Sequence, residues 1–171
     1  TGIIDHQTHS RDVTLLKGLR KVMLPVAIAG FLAAISSAGI PPTLGFLGKE
    51  LTYESTLAVI GTPLLWIILI LITKILLLHA GFMAGISQFV GKLPEQFKET
   101  KMPNPLLWVP PLLLAVGGLF FGIFPALIEP VIMPVVTAMG EDVGNKYLAL
   151  WHGFNTVLWL SIATIVVGTV L

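Results

Sequence analysis

The 171-residue chain is 55% hydrophobic and only 11% charged, where a soluble globular protein carries roughly 25% charged residues. A mean hydropathy of +0.91 and several uncharged runs longer than about 18 residues make lipid the solvent for most of it, which excludes a disordered chain and a water-soluble domain. The net charge of +1 offers no surface for nucleic acid, and the absence of cysteine removes disulfides, thiolate zinc sites, iron–sulfur clusters and cysteine nucleophiles.

The chain opens on Thr-Gly-Ile-Ile-Asp with no leader pattern and reads as a piece of something longer. Thr1 to Lys21 is polar, carries Arg11, Lys17, Arg20 and Lys21, and is expected to be a loop with one helical turn. From Val22 to Gly48 no formal charge occurs, and Ala, Ile, Leu and Gly predominate, as in membrane helices. This first segment is interrupted at Gly39-Ile40-Pro41-Pro42, followed by Gly45 and Gly48, and apolar residues resume through Leu57 to Ile60. A straight helix over 22–61 would measure about 60 Å, twice a hydrocarbon core of roughly 30 Å. Two readings are open: a helix broken inside the membrane near Pro41 and Pro42, or a span ending near Gly39 with the Pro/Gly stretch outside lipid. The first implies a transport pathway, because freed backbone groups are tolerated at depth only against protein or a water-filled cavity.

Leu64 to Val90 forms the second predicted span, Leu106 to Ile128 the third, with Pro110 and Pro111 near its start, and Trp151 to Leu171 the fourth. Gly91 to Asn104 reads as a loop, and Glu129 to Leu150 as a stretch along the interface. Four Lys and Arg precede the first span, three lie in Gly91 to Asn104, and one lies between the third and fourth spans. If each segment crosses once, the two basic loops share a side, and the positive-inside rule makes it cytoplasmic. Trp66, Trp108 and Trp151 fall near predicted span ends, whereas Trp159 does not.

The ionisable residues inside apolar sequence are the candidates for chemistry. Lys49 follows the break with Glu50 beside it and Glu54 a turn further. At mid-membrane depth a lysine costs roughly 2.5 to 3.5 kcal/mol on insertion scales and becomes a proton-exchanging group. At the interface it would simply snorkel. Lys74 sits about 15 Å into the second span, near the midplane, and His79 lies about 140° further around that helix. Each is a candidate for a proton path or for a satisfied packing residue. Asp5, His6 and His9 have poor spacing for a metal and read as a loop hydrogen-bond network, and His152 beside Trp151 reads as interfacial. No phosphate-binding glycine loop or nucleophile–base pair supports an enzyme.

The stretches Gly2-Ile-Ile-Asp-His-Gln-Thr-His-Ser-Arg-Asp, Gly18-Leu-Arg, Ala38-Gly-Ile-Pro-Pro-Thr-Leu-Gly-Phe-Leu-Gly-Lys-Glu and Leu148-Ala-Leu-Trp-His-Gly-Phe resemble the A-type subunit of the Mrp-type multisubunit sodium/proton antiporters. That protein is related to the large antiporter-like subunit of respiratory complex I. The resemblance implies that Lys49 lies in a discontinuous membrane helix on a proton path, with Glu50 as its acidic neighbour, and so selects the broken-helix reading. Lys74 and His79 match no family motif and rest on depth alone.

The expectation is therefore an all-α polytopic membrane protein of about four transmembrane segments, the first broken in mid-membrane, forming the later helices of an antiporter-like domain in the cell membrane. Its partners would be the lipid bilayer, other subunits of the complex, and protons and Na+ as cargo; no cofactor is expected. A proton-pumping subunit of a complex I-like or hydrogenase-linked assembly is the alternative, and a non-transporting scaffold a second one.

Overall fold

The computed structural model describes residues 2–59, 61–138, 148–150 and 153–170. Among the described residues every regular element is helical: α1 (Gly2–Thr8), α2 (Leu24–Ser37), α3 (Leu44–Leu57), α4 (Pro63–Phe82), α5 (Pro105–Ile123), α6 (Glu129–Ala138) and α7 (Thr156–Val170). The first loop holds more helix than expected, since α1 makes two turns and buries Ile4.

Among the described residues two helices are long and apolar enough to cross a membrane: Pro63–Ser87, in which α4 runs on into a π-helical turn, and Pro105–Ile123. Only 6% of each apolar window is buried. A core helix of a water-soluble protein would bury such a stripe, so this exposure identifies apolar surroundings outside the chain. α5 begins on Pro105, and the side chain of its N-cap, Asn104, accepts from the Leu106 amide at 3.1 Å. Pro110 and Pro111 consequently fall inside the helix rather than at its start. They leave the carbonyls of Leu106 and Leu107 without their usual helical donors.

Small residues set the helix packing. A Cβ on Gly85 in the π-helical turn would strike the Gly30 carbonyl of α2, and one on Gly30 would lie 3.0 Å from the Gly85 carbonyl oxygen. Backbones meet here because neither helix presents a side chain, the usual device of membrane helix pairs. α7 packs on α4, with Gly168 against Leu78, and α5 packs on both α2 and α3.

The two basic loops lie together at one end. The Gly18 amide donates to the Val90 carbonyl at 3.0 Å and the Leu19 amide to the Gln88 carbonyl at 3.3 Å. Ile4, Leu16, Leu19, Met23, Phe89 and Phe97 form a buried apolar cluster there, against which Trp108 packs. Trp66 and Trp159 are exposed. Trp151, His152 and the charged residues Glu141, Asp142 and Lys146 lie outside the described residues.

Candidate ion site at the helix break

The segment between α2 and α3 is built to end one helix and start another without orphaned backbone groups. Gly39 adopts φ 64°, the left-handed conformation that closes helices. Its amide donates to the Ser36 carbonyl at 2.9 Å, and that of Ile40 to the Ile35 carbonyl at 3.1 Å, satisfying two acceptors of the last α2 turn. Pro41 and Pro42, joined by a cis peptide bond, carry the chain across. Thr43 is buried; its amide and hydroxyl both donate to the Ile40 carbonyl, at 3.2 and 2.7 Å. Neighbouring helices close on this junction. A Cβ on Gly45, in the first turn of α3, would strike the Ser36 carbonyl, and one on Gly122 of α5 would strike the Pro42 carbonyl and lie 2.6 Å from the Leu44 nitrogen. Gly39 and Thr43 at the two sides of the break are buried, while Pro41 and Pro42 between them are exposed; irregular backbone survives in a membrane where protein or a water-filled cavity receives it.

Each half-helix has 14 residues, about 21 Å, too short to cross a core of roughly 30 Å alone. Of the glycines expected at the break, Gly45 and Gly48 both lie within α3. Gly45 is the close-approach point to α2, and Gly48 is exposed with open space where a Cβ would sit.

Lys49 stands one turn into α3 and is 2% exposed. Helical side chains lean toward the N-terminus of their helix, and this one leans back over the break: a Cβ on Gly39 would lie 2.8 Å from its Cδ and 2.9 Å from its Cε. Gly39 therefore supplies both the backbone conformation and the room for the lysine stem. Among the described residues the ammonium nitrogen has no hydrogen-bond partner, and it sits 5.6 Å from the centre of the Phe46 ring. Glu50 and Lys74 both act on it electrostatically, with opposite sign. Lys74 is half-buried on α4, beside the inward-facing Ile75 and Leu78. The structure thus brings Lys49, Glu50 and Lys74 into one neighbourhood. His79 is not brought in; it is exposed on the outer side of α4. Glu50 is half-buried and, with Glu54 and Asn155, lines a cleft between α3 and the start of α7.

The family described as NADH:quinone oxidoreductase/Mrp antiporter, transmembrane, matches residues 1–78, the part that contains the break and Lys49. The whole chain is 34% identical to the Na+/H+ antiporter A1 subunit of Staphylococcus saprophyticus, covering 100% of this chain and 23% of that protein. With the corresponding Na+/H+ antiporter A subunit of Bacillus subtilis it shares 29% identity over 99% of its length, again 23% of the relative. In the solved structure of the Mrp complex from Dietzia sp., one chain matches at a TM-score of 0.75 and 32% identity, over 99% of this chain and 18% of that one. The chain is similar to Na+/H+ antiporter A subunits and to one chain of the Mrp complex. It spans about a quarter of the length of the curated relatives it matches.

Several residues that build the site do not stand out as candidates in the sequence. Phe46, Tyr53 and Thr56 are buried on the helix face that carries Lys49, and their spacing of three or four residues is the signal that marks a single helix face. Gly39 has the sequence signature of a helix breaker, and the structure adds its second role as the floor beneath a lysine. Thr164 and Ser161 of α7 are buried, yet nothing local to them points to α3. Asp5 accepts from the Arg11 guanidinium at 2.9 Å, and the His9 amide donates to the Asp5 carbonyl at 2.9 Å. Among the described residues no group of three metal-ligating side chains forms.

Proposed function

We propose that this chain forms the broken-helix lysine site of a monovalent cation/proton antiporter subunit, coupling proton movement to Na+ efflux across the cell membrane. The observation that carries this reading is a wholly buried Lys49 whose ammonium nitrogen has no partner among the described residues and whose stem lies on the break between two half-helices. A buried ammonium without a partner is costly to keep charged, so the group is suited to release and rebind a proton as its surroundings change. Half-helix junctions at membrane depth are where transporters gather ion sites. Lys74, within electrostatic reach, is the second proton-path candidate; Glu50 is the countercharge, and His79 belongs to the path only through a group covering the outer side of α4.

In this reading α2 and α3 together make one discontinuous crossing, and α4, α5 and α7 make three more. The paired basic loops face the cytoplasm, and other antiporter subunits join the lipid in covering the exposed apolar faces. The driving force is the membrane potential, about 2.3 kcal/mol per charge per 100 mV, with any pH gradient. A redox-driven pump would use the same helices; the relatives named as Na+/H+ antiporter subunits favour the antiporter.

The test is sodium-dependent proton flux in everted vesicles carrying the full antiporter complex, wild type against Lys49→Ala at matched assembly. Loss of flux by about a hundredfold or more is expected, as for removal of a proton-transferring group. Unchanged flux would return Lys49 to a packing role and favour the scaffold reading.

A further inference from the structure

The ammonium of Lys49 has no hydrogen-bond partner among the described residues, so no bond of its own fixes where it stands. Its place follows from the place of α3. Two contacts flank it on the same face of that helix. Gly45, four residues before Lys49, packs its backbone on α2, where a Cβ would strike the Ser36 carbonyl. Tyr53, four residues after Lys49, meets α7, its hydroxyl oxygen lying 2.5 Å from that of Thr164. Residues four apart are neighbours on one helix face, about 6 Å along the axis. The two contacts therefore bracket the lysine, one turn to either side.

The contact with α7 is satisfied on both sides. Tyr53 and Thr164 are each 0% exposed, and the Thr164 hydroxyl donates to the Leu160 carbonyl at 2.7 Å. A threonine hydroxyl has one proton, so the Tyr53 hydroxyl is the donor to Thr164. Removed from water, a bond of this kind between two helices has no solvent to exchange with. The outer side of α3 offers no such hold, since Gly48, Leu51, Glu54 and Ser55 are exposed. The partner helix lies beyond residues 1–78, the part that the antiporter family matches.

We propose that Tyr53 and Thr164 are positioning residues for Lys49: their bond tethers the second half-helix to α7 and thereby fixes the lysine over the break. The inference rests on Lys49 as the proton-exchanging group. The pair takes no proton from Lys49 and passes none on; it acts through the placement of α3 alone. Without the bond, α3 keeps its packing at the break but loses its polar tether one turn beyond the lysine. Small rotations of the half-helix then carry Lys49 away from Gly39 and change its distance from Lys74 on α4.

The test uses the full antiporter complex in everted vesicles with Lys49→Ala, Tyr53→Phe, Thr164→Val, Thr164→Ser and the double variant Tyr53→Phe/Thr164→Val at matched assembly. Tyr53→Phe keeps the ring and leaves Thr164 bonded to Leu160, so packing survives. Spin labels on Leu51→Cys and Trp159→Cys, exposed positions of α3 and α7 in a chain without cysteine, report the distance between the two helices. The tether predicts that Tyr53→Phe and Thr164→Val each lower flux by about tenfold or more, within what a misplaced reacting group costs, and broaden the label distance. The double variant falls no further than either single one, because both remove the same bond, and Thr164→Ser keeps flux and distance as in wild type. If Lys49→Ala abolishes flux while Tyr53→Phe and Thr164→Val leave it unchanged, the tether is wrong and the lysine site stands. Losses that multiply in the double variant, a loss with Thr164→Ser equal to that with Thr164→Val, or lost flux at an unchanged label distance each overturn the tether. Full flux with Lys49→Ala removes both.

Discussion

The two ends of the molecule differ in which polar and apolar groups they leave outside. Around the paired basic loops, Leu16, Leu19, Met23, Phe89 and Phe97 are inside, while Arg11, Lys17, Lys92, Glu95 and Lys98 are exposed. This is the arrangement water imposes. In the helical bundle Leu64, Leu106, Leu113 and Leu114 stand outside, and Thr43, Lys49, Thr56, Ser161 and Thr164 are inside. Hydrocarbon is as apolar as leucine, so leucine gains nothing by burial there, whereas each polar group must find a partner within the protein. The boundary between the two regimes marks where water gives way to apolar surroundings. It also explains why the candidate site lies in the bundle: only there does an interior lysine face no competition from bulk water for its proton.

The comparison breaks most visibly if the loop end is not a water-type core. Leu19 is 0% exposed within the cluster of both loops, so Leu19→Ala is expected to destabilise that end by about 2 to 5 kcal/mol, as large-to-small core substitutions do. A lower thermal midpoint of the purified complex, with unchanged flux per assembled complex, is the expected result. An unchanged midpoint would mean that the two loops do not support one another. Next in size is Leu114→Lys, midway along α5 and 79% exposed. If that face meets lipid, insertion of α5 becomes less favourable by roughly 2.5 to 3.5 kcal/mol, measured as the inserted fraction in a membrane-insertion assay. Insertion equal to wild type would place water or a polar surface of another subunit on that face.

The sequence made the apolar helices legible because runs such as Pro63 to Leu78 hold a single lysine among Leu and Ile, and no other element accommodates that in lipid. It made the break legible because Gly39, Pro41 and Pro42 have local backbone consequences. The pairing of the basic loops followed from charge counting alone, and the hydrogen bonds from Gly18 to Val90 and from Leu19 to Gln88 give it a physical form. Helix ends were less legible: Pro110 and Pro111 look like a start, yet Asn104 and Pro105 start α5, because an N-cap acts through one hydrogen bond that composition does not weigh. Lys49 stood out as a charge in apolar sequence. Its setting did not, since the room that Gly39 leaves for its stem and the packing of Gly122 on the break at Pro42 and Leu44 depend on how the helices meet. Tertiary contact, and not local pattern, decides which polar residues share a seam.

The smallest expected effect belongs to Asp12, and it sharpens the contrast because Asp12 is a charge on the watery side. Its carboxylate accepts from the Thr14 hydroxyl at 2.6 Å and the Thr14 amide at 2.9 Å. Chiefly through that hydroxyl, these bonds hold its pKa below the ordinary value of 3.8. A depressed carboxylate pKa contributes stability that is present above the unfolded value and is lost as pH falls through the folded one. Between about pH 5 and about pH 8 the contribution is therefore constant, and full exposure to solvent keeps it slight. Asp12→Asn should leave flux unchanged, and its thermal midpoint should follow that of wild type in parallel across this range. A pH-dependent gap opening near neutrality with Asp12→Asn would mean that the carboxylate is not in free solvent, and that the loop end is covered by another part of the complex.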